Sequence, residues 1–350
     1  MPKVYEYELA KVAKKMIEDM FQVKPGETVA ITADSGTNEE IVDALAKAAY
    51  AVGGKPLVMW VARPRGEGQE AMPDLPAAAL TGALCEVDVW IEIQSRFMLY
   101  SDVFETAFEK NKKLRYVIVY DATIEQLKML VGDVNIPLLG KLLRGVRDLV
   151  TDAKTIRVKN ARGTDVTFEM DPKHLIDMDD GIYNVPKFGT LPGYVNVVPR
   201  FETMEGTIVF DELMGMGILK DDRVEFTMKE GKIVEFKGGK KAEEMKAHVE
   251  SFDDPNMFKI SHMMISLNPG VRSLTGSVVT DERIWGGVDF GFGHTSPMDA
   301  PPNGQPAKSH FDGILEKTSI WFDDVQITDN GVVCHPEIKG FAEELLAEME

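Results

Sequence analysis

Residues 28–61 read TVAITADSGTNEEIVDALAKAAYAVGGKPLVMWV and contain one strand–helix–strand unit. The pattern predicts a short apolar strand at 28–32, followed by Asn38 as the N-cap of a helix that ends at the glycine pair 53–54. A second strand is predicted at 56–61. Two consecutive parallel strands need a crossover of a dozen or more residues, usually a helix, so this spacing predicts a parallel sheet.

The sequence on either side of this unit indicates where the parallel sheet ends. A helix is predicted at 8–20, before this unit. Strands are predicted after it, at 87–93 and 115–120, next to further segments with helical periodicity. After residue 150 the pattern changes to hairpins, the first at 155–169 and another at 223–237. We therefore predict an α/β fold. It has an N-terminal parallel-sheet domain (residues 1–150) and a C-terminal α+β domain (residues 151–350) whose largely antiparallel strands carry a metal site.

Composition restricts the partners of the chain. Its 350 residues include 39 Lys and Arg against 57 Asp and Glu, a formal net charge of −18. Binding to a phosphate backbone or to an anionic membrane surface needs clustered basic residues, so we expect neither nucleic acid nor membrane as a partner. There is no apolar leader after Met1, and Cys85 and Cys334 have no CxxC spacing. We therefore expect a cytoplasmic protein without disulfides.

Three of the six histidines fall in one part of the second half of the chain: His262, His294 and His310. In a strand, His310 and Asp312 share one face because side chains alternate. Two glycines before His294 allow the backbone to approach another group closely. Imidazole with carboxylate is a donor set for Fe(II), Zn or Mn. The residues alone leave two interpretations open, a shared metal site and unrelated loop histidines. We expect His174, His248 and His335 to be ordinary surface or edge residues.

Several segments of the second half resemble a known family. The segments are SFDDPNMFKISH at 251–262, LNPG at 267–270 and SHFD at 309–312, supported by 191–199 and 204–211. They are similar to those of the 2,5-dihydroxypyridine 5,6-dioxygenases, which are relatives of the thermophilic-type (aminopeptidase T) metallo-aminopeptidases. The likeness covers roughly residues 150 to 330, and the strand–helix order of the first half agrees with it.

The metal ligands separate the two groups of relatives. The aminopeptidases have glutamates where this chain has Tyr194 and His262, and a histidine where it has Asp289. A two-metal hydrolase site needs bridging carboxylates, so these three changes argue against a peptidase. The resemblance instead implies a single metal ion.

The dioxygenase resemblance also implies which residues hold that ion. It implies one Fe(II), with Zn or Mn as alternatives, held by His262, His294 and Asp312. His294 replaces the serine ligand of well-described family members, which turns the set into two histidines and one carboxylate. His310 and Asp289 are expected to orient the ligands and to take part in catalysis.

The substrate implied by the resemblance is a hydroxylated pyridine or a similar small aromatic ring that dioxygen opens. Leu99, Tyr100, Thr190 and Tyr194 are predicted to bind it, and Tyr100 is assigned a catalytic role as well. Tyr100 and Thr190 stand where the family has histidines. Two other functions stay open: a single-metal hydrolase of amides or esters, and a binding protein without catalysis. A homo-oligomer is implied by the family alone.

Overall fold

A computed structural model describes residues 6–350 of the protein. Its α-helices lie mostly where the strand–helix pattern predicts them. They are α1 (Glu6–Lys15), α2 (Glu39–Ala51), α3 (Ala77–Leu84), α4 (Asp102–Lys110), α5 (Ile124–Leu127), α6 (Ile136–Thr151), α7 (Lys240–Ser251), α8 (Val278–Asp281) and α9 (Pro336–Ala347). π-helical turns at Met16–Met20 and Lys128–Gly132 extend α1 and α5, and short 3₁₀ helices lie at Gly68–Asp74 and Pro255–Phe258.

The strands of the described residues form one parallel and two antiparallel sheets. In chain order they are β1 (Thr28–Asp34), β2 (Lys55–Val61), β3 (Val89–Glu92), β4 (Arg115–Ile118), β5 (Thr155–Lys159), β6 (Asp165–Glu169), β7 (Ile176–Asp179), β8 (Lys187–Gly189), β9 (Tyr194–Val197), β10 (Glu205–Val209), β11 (Glu212–Leu213), β12 (Gly217–Ile218), β13 (Val224–Lys229), β14 (Lys232–Gly238), β15 (Ile260–Ser266), β16 (Gly287–Thr295), β17 (Gln305–Leu315), β18 (Ser319–Phe322), β19 (Val325–Asp329) and β20 (Val332–Val333).

The chain divides into two compact units at a different place from the predicted boundary. The first unit comprises Met1–Pro137 and Gly181–Pro192, and the second comprises Leu138–Asp180 and Gly193–Glu350. The division falls at the start of α6 rather than at residue 150, because α6 packs within the second unit. A side chain at Gly145 of α6 would meet Ile338 of α9. The return of 181–192 to the first unit adds β8 to its sheet, which periodicity alone does not reveal.

The first unit contains the predicted parallel sheet, in the order β2-β1-β3-β4-β8. Every neighbouring pair in it is parallel. Beyond its first residue β1 is buried, as expected for a strand covered on both faces. Trp90 on β3 packs against Tyr116 on β4 with ring centroids 4.5 Å apart, and both side chains are fully buried. The α/β fold class and the parallel sheet are confirmed.

The second unit contains an eight-stranded sheet, β14-β13-β10-β6-β5-β18-β19-β20, and a seven-stranded sheet, β12-β11-β17-β16-β15-β9-β7. The hairpin predicted at 155–169 forms as β5 and β6, with Thr155 opposite Glu169. The two sheets pack through aromatic rings: Phe226 of β13 lies 5.5 Å from Phe292 of β16, which stacks on Phe311 of β17 at 5.1 Å. We call this side of the seven-stranded sheet the aromatic face.

The opposite side of the seven-stranded sheet carries polar residues, and we call it the site face. Gly291 of β16 lies opposite His262 of β15 and opposite Asp312 of β17. Residues directly opposite each other share a face, so these three lie on the side away from Phe292. Within residues 6–350, no helix is both long enough and apolar enough to cross a bilayer.

Candidate metal centre

Three side chains converge on the site face. His310 Nε2 lies 3.0 Å from His262 Nε2 and 2.9 Å from Asp312 Oδ1, and His262 Nε2 lies 3.6 Å from the same oxygen. One potential ligand atom from each residue lies within 4.8 Å of the other two. Within the described residues, 6–350, this is the group of His, Cys, Asp or Glu side chains that satisfies the spacing for a metal ion.

The register of three neighbouring strands brings the cluster together. His262 on β15 and Asp312 on β17 flank Gly291 on the central strand β16, and His310 lies opposite Gly293. A Cβ atom on Gly291 would lie 2.2 Å from His262 Nε2 and 2.7 Å from His310 Cε1. No side chain other than hydrogen fits at residue 291 beneath the two imidazoles, so glycine there is a requirement of the site.

The orientation of His310 is set by a main-chain contact. Its Nδ1 lies 3.0 Å from the carbonyl oxygen of His294, which can only accept a hydrogen bond. A neutral His310 ring therefore carries its proton on Nδ1 and directs the Nε2 lone pair toward His262 and Asp312. The His262 and His310 rings lie 5.0 Å apart with an 8° interplanar angle. Lone pairs that converge in this way need a shared proton or a cation between them.

The charges of the cluster suit a divalent cation. Burial and the charge of His310 lower the pKa of His262 to about 4, although Asp312 opposes them. Burial works to raise the pKa of Asp312, but the charge of His310 and its hydrogen bond outweigh burial and lower it. Burial works to lower the pKa of His310, but the charge of Asp312 and its hydrogen bond outweigh burial and raise it, so a metal ion must displace a proton from His310. His262 and Asp312 offer a neutral imidazole and a carboxylate at neutral pH, and Fe(II), Zn and Mn accept both. About 12% of the His262 side chain and 32% of the His310 side chain are exposed, so the cluster can be reached.

His294, which the sequence analysis placed among the ligands, lies outside this cluster. Its side chain is exposed, and it lies at a β-bulge of β16, between Gly293, which pairs with His310, and Thr295, which pairs with Gln305. Its carbonyl oxygen accepts bonds from His310 and from the Ser261 hydroxyl at 2.8 Å. The structure thus groups His310 with His262 and Asp312, and gives His294 a main-chain contact to the cluster.

Asp289 lies one step along the site face, opposite Met264 and Ile314. It is fully buried, and within residues 6–350 neither carboxylate oxygen has a partner in normal hydrogen-bond geometry. Burial raises its pKa well above the usual range, and the charges of Asp312 and Glu282 add to the effect. Burial therefore favours the protonated, neutral form of Asp289, and no hydrogen bond from it orients a ligand.

Tyr194 also lies on the site face. It pairs with Ser266 of β15, which is four residues from His262 and therefore has its side chain on the same side of the sheet. Its hydroxyl donates to Asp179 Oδ2 at 2.6 Å, and the Arg283 guanidinium lies 5.2 Å from the ring centroid. Burial raises the pKa of Tyr194 well above its usual range. The contacts of this residue, predicted to bind substrate, are to buried charged groups of its own unit.

The other residues predicted to bind substrate lie in the first unit. Leu99 and Tyr100 precede α4, and the Tyr100 backbone is left-handed with φ of 65°. The Tyr100 ring is 55% exposed and packs edge-on against Phe104 at 6.1 Å. Thr190 follows β8, and its carbonyl accepts a bond from the Tyr183 hydroxyl at 2.6 Å. Their roles toward a substrate stay predictions.

Sequence reasoning missed how some residues act. The sequence predicts a close approach to the glycines before His294, and the structure shows that the groups approaching Gly291 are the two imidazoles. The ion pair of the buried Arg283 with the partly buried Glu282 had no signal in the sequence. His335 is the N-cap of α9 rather than an edge-strand residue. His248 is exposed as expected, whereas His174 is half-buried and packs against Phe201.

Comparison with known proteins identifies the family. A family model described as NicX, 2,5-dihydroxypyridine 5,6-dioxygenase, matches residues 8–335. The chain belongs to this family. A curated 2,5-dihydroxypyridine 5,6-dioxygenase from Pseudomonas putida KT2440 is 27% identical over 157 residues, 41% of this chain and 44% of the relative. That alignment spans less than half of the relative's length.

Solved structures agree on the fold of the 2,5-dihydroxypyridine 5,6-dioxygenase family. The 2,5-dihydroxypyridine dioxygenase of Pseudomonas putida KT2440 superposes with a TM-score of 0.82 at 18% identity, over 96% of this chain and all of that one. AmpT from Thermus thermophilus superposes with a TM-score of 0.68 at 15% identity, over 95% of this chain and all of AmpT. At such identities these matches show the fold alone. The resemblance predicted from the sequence is confirmed.

Proposed function

We propose that this protein is a metal-dependent dioxygenase that opens the ring of a hydroxylated pyridine or a similar small aromatic. Membership of the 2,5-dihydroxypyridine 5,6-dioxygenase family supports the reaction class. The observation that carries the proposal is the convergence of His262, His310 and Asp312 on one face of the seven-stranded sheet. Two histidines and one carboxylate with open positions are the donor set of non-haem Fe(II) oxygenases.

The fit of the cluster to Fe(II) rests on its own geometry. The Nε2 atoms of His262 and His310 lie 3.0 Å from each other and within 3.6 Å of one carboxylate oxygen of Asp312. When bound there, Fe(II) supplies the one-electron chemistry that dioxygen requires. Zn and Mn accept the same donors, so the identity of the metal is part of the proposal.

The chain's own residues contribute position and charge. The His294 carbonyl fixes the His310 ring, the kind of outer contact that is typical of metal-binding histidines. The absence of a side chain at Gly291 leaves room beneath both imidazoles. We retain Leu99, Tyr100 and Thr190 as proposed substrate contacts. Because Tyr100 and Thr190 are not histidines and His310 is a proposed ligand, acid–base steps near neutral pH fall to the substrate's own hydroxyl groups.

The test is oxygen uptake. Protein purified without chelator is analysed for iron, zinc and manganese, then supplied with Fe(II) and 2,5-dihydroxypyridine in an oxygen electrode. We expect oxygen consumption with Fe(II), its loss with Zn, and no turnover without oxygen. Turnover under anaerobic conditions with amide or ester substrates would contradict the proposal and support a hydrolase.

The hydrolase alternative has no observation in its favour beyond the AmpT fold. In this chain Tyr194 and Asp289 occupy positions at which the aminopeptidases carry ligands, and both are buried. A two-metal clamp needs carboxylates that bridge two ions. The residues of the cluster suit one ion. A small-molecule substrate, a homo-oligomer and a cytoplasmic location stay predictions.

A further inference from the structure

β2 is an edge of the parallel sheet with unusual chemistry. β1 pairs with one side of it, and no strand within residues 6–350 pairs with the other. Leu57, Val58 and Trp60 on this strand are 37%, 37% and 46% exposed. An exposed apolar edge strand is a template for pairing with another chain, and proteins normally blunt such an edge with charges or cover it. Only Lys55, at the start of β2, is charged.

The backbone of β2 has a defined phase toward that open edge. The Lys55 N–H donates to the Glu27 carbonyl at 2.7 Å, which lies on the β1 side. Successive residues of a strand direct their backbone groups to opposite sides, so Pro56, Val58 and Trp60 direct theirs outward. Pro56 has no N–H to donate, and within a sheet proline is confined to such outward-facing edge positions.

We propose that β2 pairs antiparallel with β2 of a second copy of this chain, about a two-fold axis at Val58. In this register the two Val58 residues exchange N–H to carbonyl hydrogen bonds. The Trp60 N–H of each copy donates to the Pro56 carbonyl of the other. The one missing donor, at Pro56, faces the Trp60 carbonyl, so the pairing leaves no N–H of the edge unused. The two parallel sheets become one continuous sheet.

The side chains support a second copy as the occupant. Val58 and Trp60 face α2 and line an open groove of about 550 Å³ with Val42 and Ala46. The two-fold axis brings two such grooves together, with each Trp60 beside Pro56 of the other copy. A strand edge and a helix flank then both contribute to one self-complementary surface.

Charge points the same way. Exposed α2 residues are acidic in the first half of the helix, at Glu39 and Asp43, and Lys47 follows in the second half. The two-fold axis runs α2 antiparallel to its copy, so the acidic half of one helix lies toward the Lys47 half of the other. Unlike charges therefore meet across the axis on both sides. The inference uses only the first unit and is independent of the proposed reaction.

Light scattering on the full chain tests the pairing. We expect a mass that is an even multiple of the 38.9 kDa protomer. Trp60→Glu and Val58→Pro should each halve that mass. Val58→Pro leaves the β1–β2 hydrogen bonds intact because the Val58 N–H faces outward. The matched control is Val234→Glu on β14, an edge strand of the eight-stranded sheet where Val234 is 57% exposed. A monomeric wild type, or a mass unchanged in both β2 variants, would overturn the proposal.

A cysteine pair tests the register. Opposed residues of a hydrogen-bonded antiparallel pair have Cα atoms about 5.5 Å apart, within disulfide range. Val58→Cys should therefore form a disulfide-linked dimer on mild oxidation. Trp60→Cys should not, because the two Trp60 residues lie four residues apart along the strands, about 13 Å. A cross-link through Trp60→Cys but not through Val58→Cys, or one to a protein of different mass, would overturn the proposed pairing.

Discussion

The two faces of the seven-stranded sheet use the same strands for opposite purposes. On β16 and β17, Phe292 and Phe311 stack against each other and against the eight-stranded sheet. One residue away on each strand, Gly291 and Asp312 belong to the polar cluster. The aromatic face depends on volume and burial, and the site face depends on which atoms converge. Substitutions one residue apart should therefore separate stability from metal binding.

The largest effect is expected on the site face. His310→Ala should abolish stoichiometric metal binding, because it removes one of three converging donors. His294→Ala is the matched control: its side chain is exposed, and only its carbonyl contacts the cluster, so it should bind metal as the wild type does. Metal content and chelator competition measure both. Metal lost from His294→Ala and kept in His310→Ala would instead support the ligand set predicted from sequence.

The aromatic face should give the converse result. Phe292→Ala removes a fully buried ring that contacts Phe226 and Phe311. The cavity should lower the free energy of unfolding by about 3–5 kcal/mol. Urea unfolding measures the loss, and metal content per folded protein should stay at the wild-type value. If metal binding fell in proportion to stability, the two faces would not be separable.

The parallel sheet was predictable because its signals are local. In the first strand–helix–strand unit, the N-cap at Asn38, the helical periodicity and the glycine pair at 53–54 mark where α2 begins and ends. A helix of this length between two strands allows few sheet topologies other than a parallel one. The hairpin at 155–169 was likewise set by its own turn. The boundary at 137/138 and the return of 181–192 were not predictable, because they depend on which distant helix or strand an element packs against.

The residues of the site were predictable from the sequence, whereas their grouping in space was not. His262, His294, His310 and Asp312 were all recognised from the chain. Choosing among the histidines needed the register of β15, β16 and β17, which spacings of 16 and more residues do not encode. Family resemblance placed His294 at a ligand position. The structure places His294 at a β-bulge with an exposed side chain, and its carbonyl contacts His310. Which of the two histidines binds a metal stays a prediction.

A smaller effect on metal binding is expected at Gly291, where the site face has no room for a side chain. Gly291→Ala would put a Cβ 2.2 Å from His262 Nε2, so the imidazole must move. We expect metal affinity to fall by about 10–100-fold, the size of losses that follow when ligands are displaced rather than removed. The control is Gly82→Ala in α3, where nothing lies within 4 Å of the added atom. Unchanged metal affinity in Gly291→Ala would mean that the positions of the two imidazoles do not depend on the missing side chain at residue 291.

The smallest effect concerns Asp289, a buried carboxyl on the site face. Its pKa is raised above the unfolded value, so the folded state holds its proton longer than the unfolded state does. Its contribution to stability is therefore complete below the unfolded pKa and is lost as pH rises toward the folded one. Asp289→Asn keeps the shape without that loss.

The advantage of Asp289→Asn over the wild type in melting temperature should consequently grow from pH 5 to pH 8. We expect a gain within the roughly 0.5–3 kcal/mol common for single substitutions, measured with chelator present. Glu105→Gln on the exposed side of α4 is the control and should show no such trend. An advantage that shrinks as pH rises would mean that Asp289 is ionised in the folded protein. The site face would then hold two negative carboxylates, Asp289 and Asp312, and would need a cation more strongly than the structure implies.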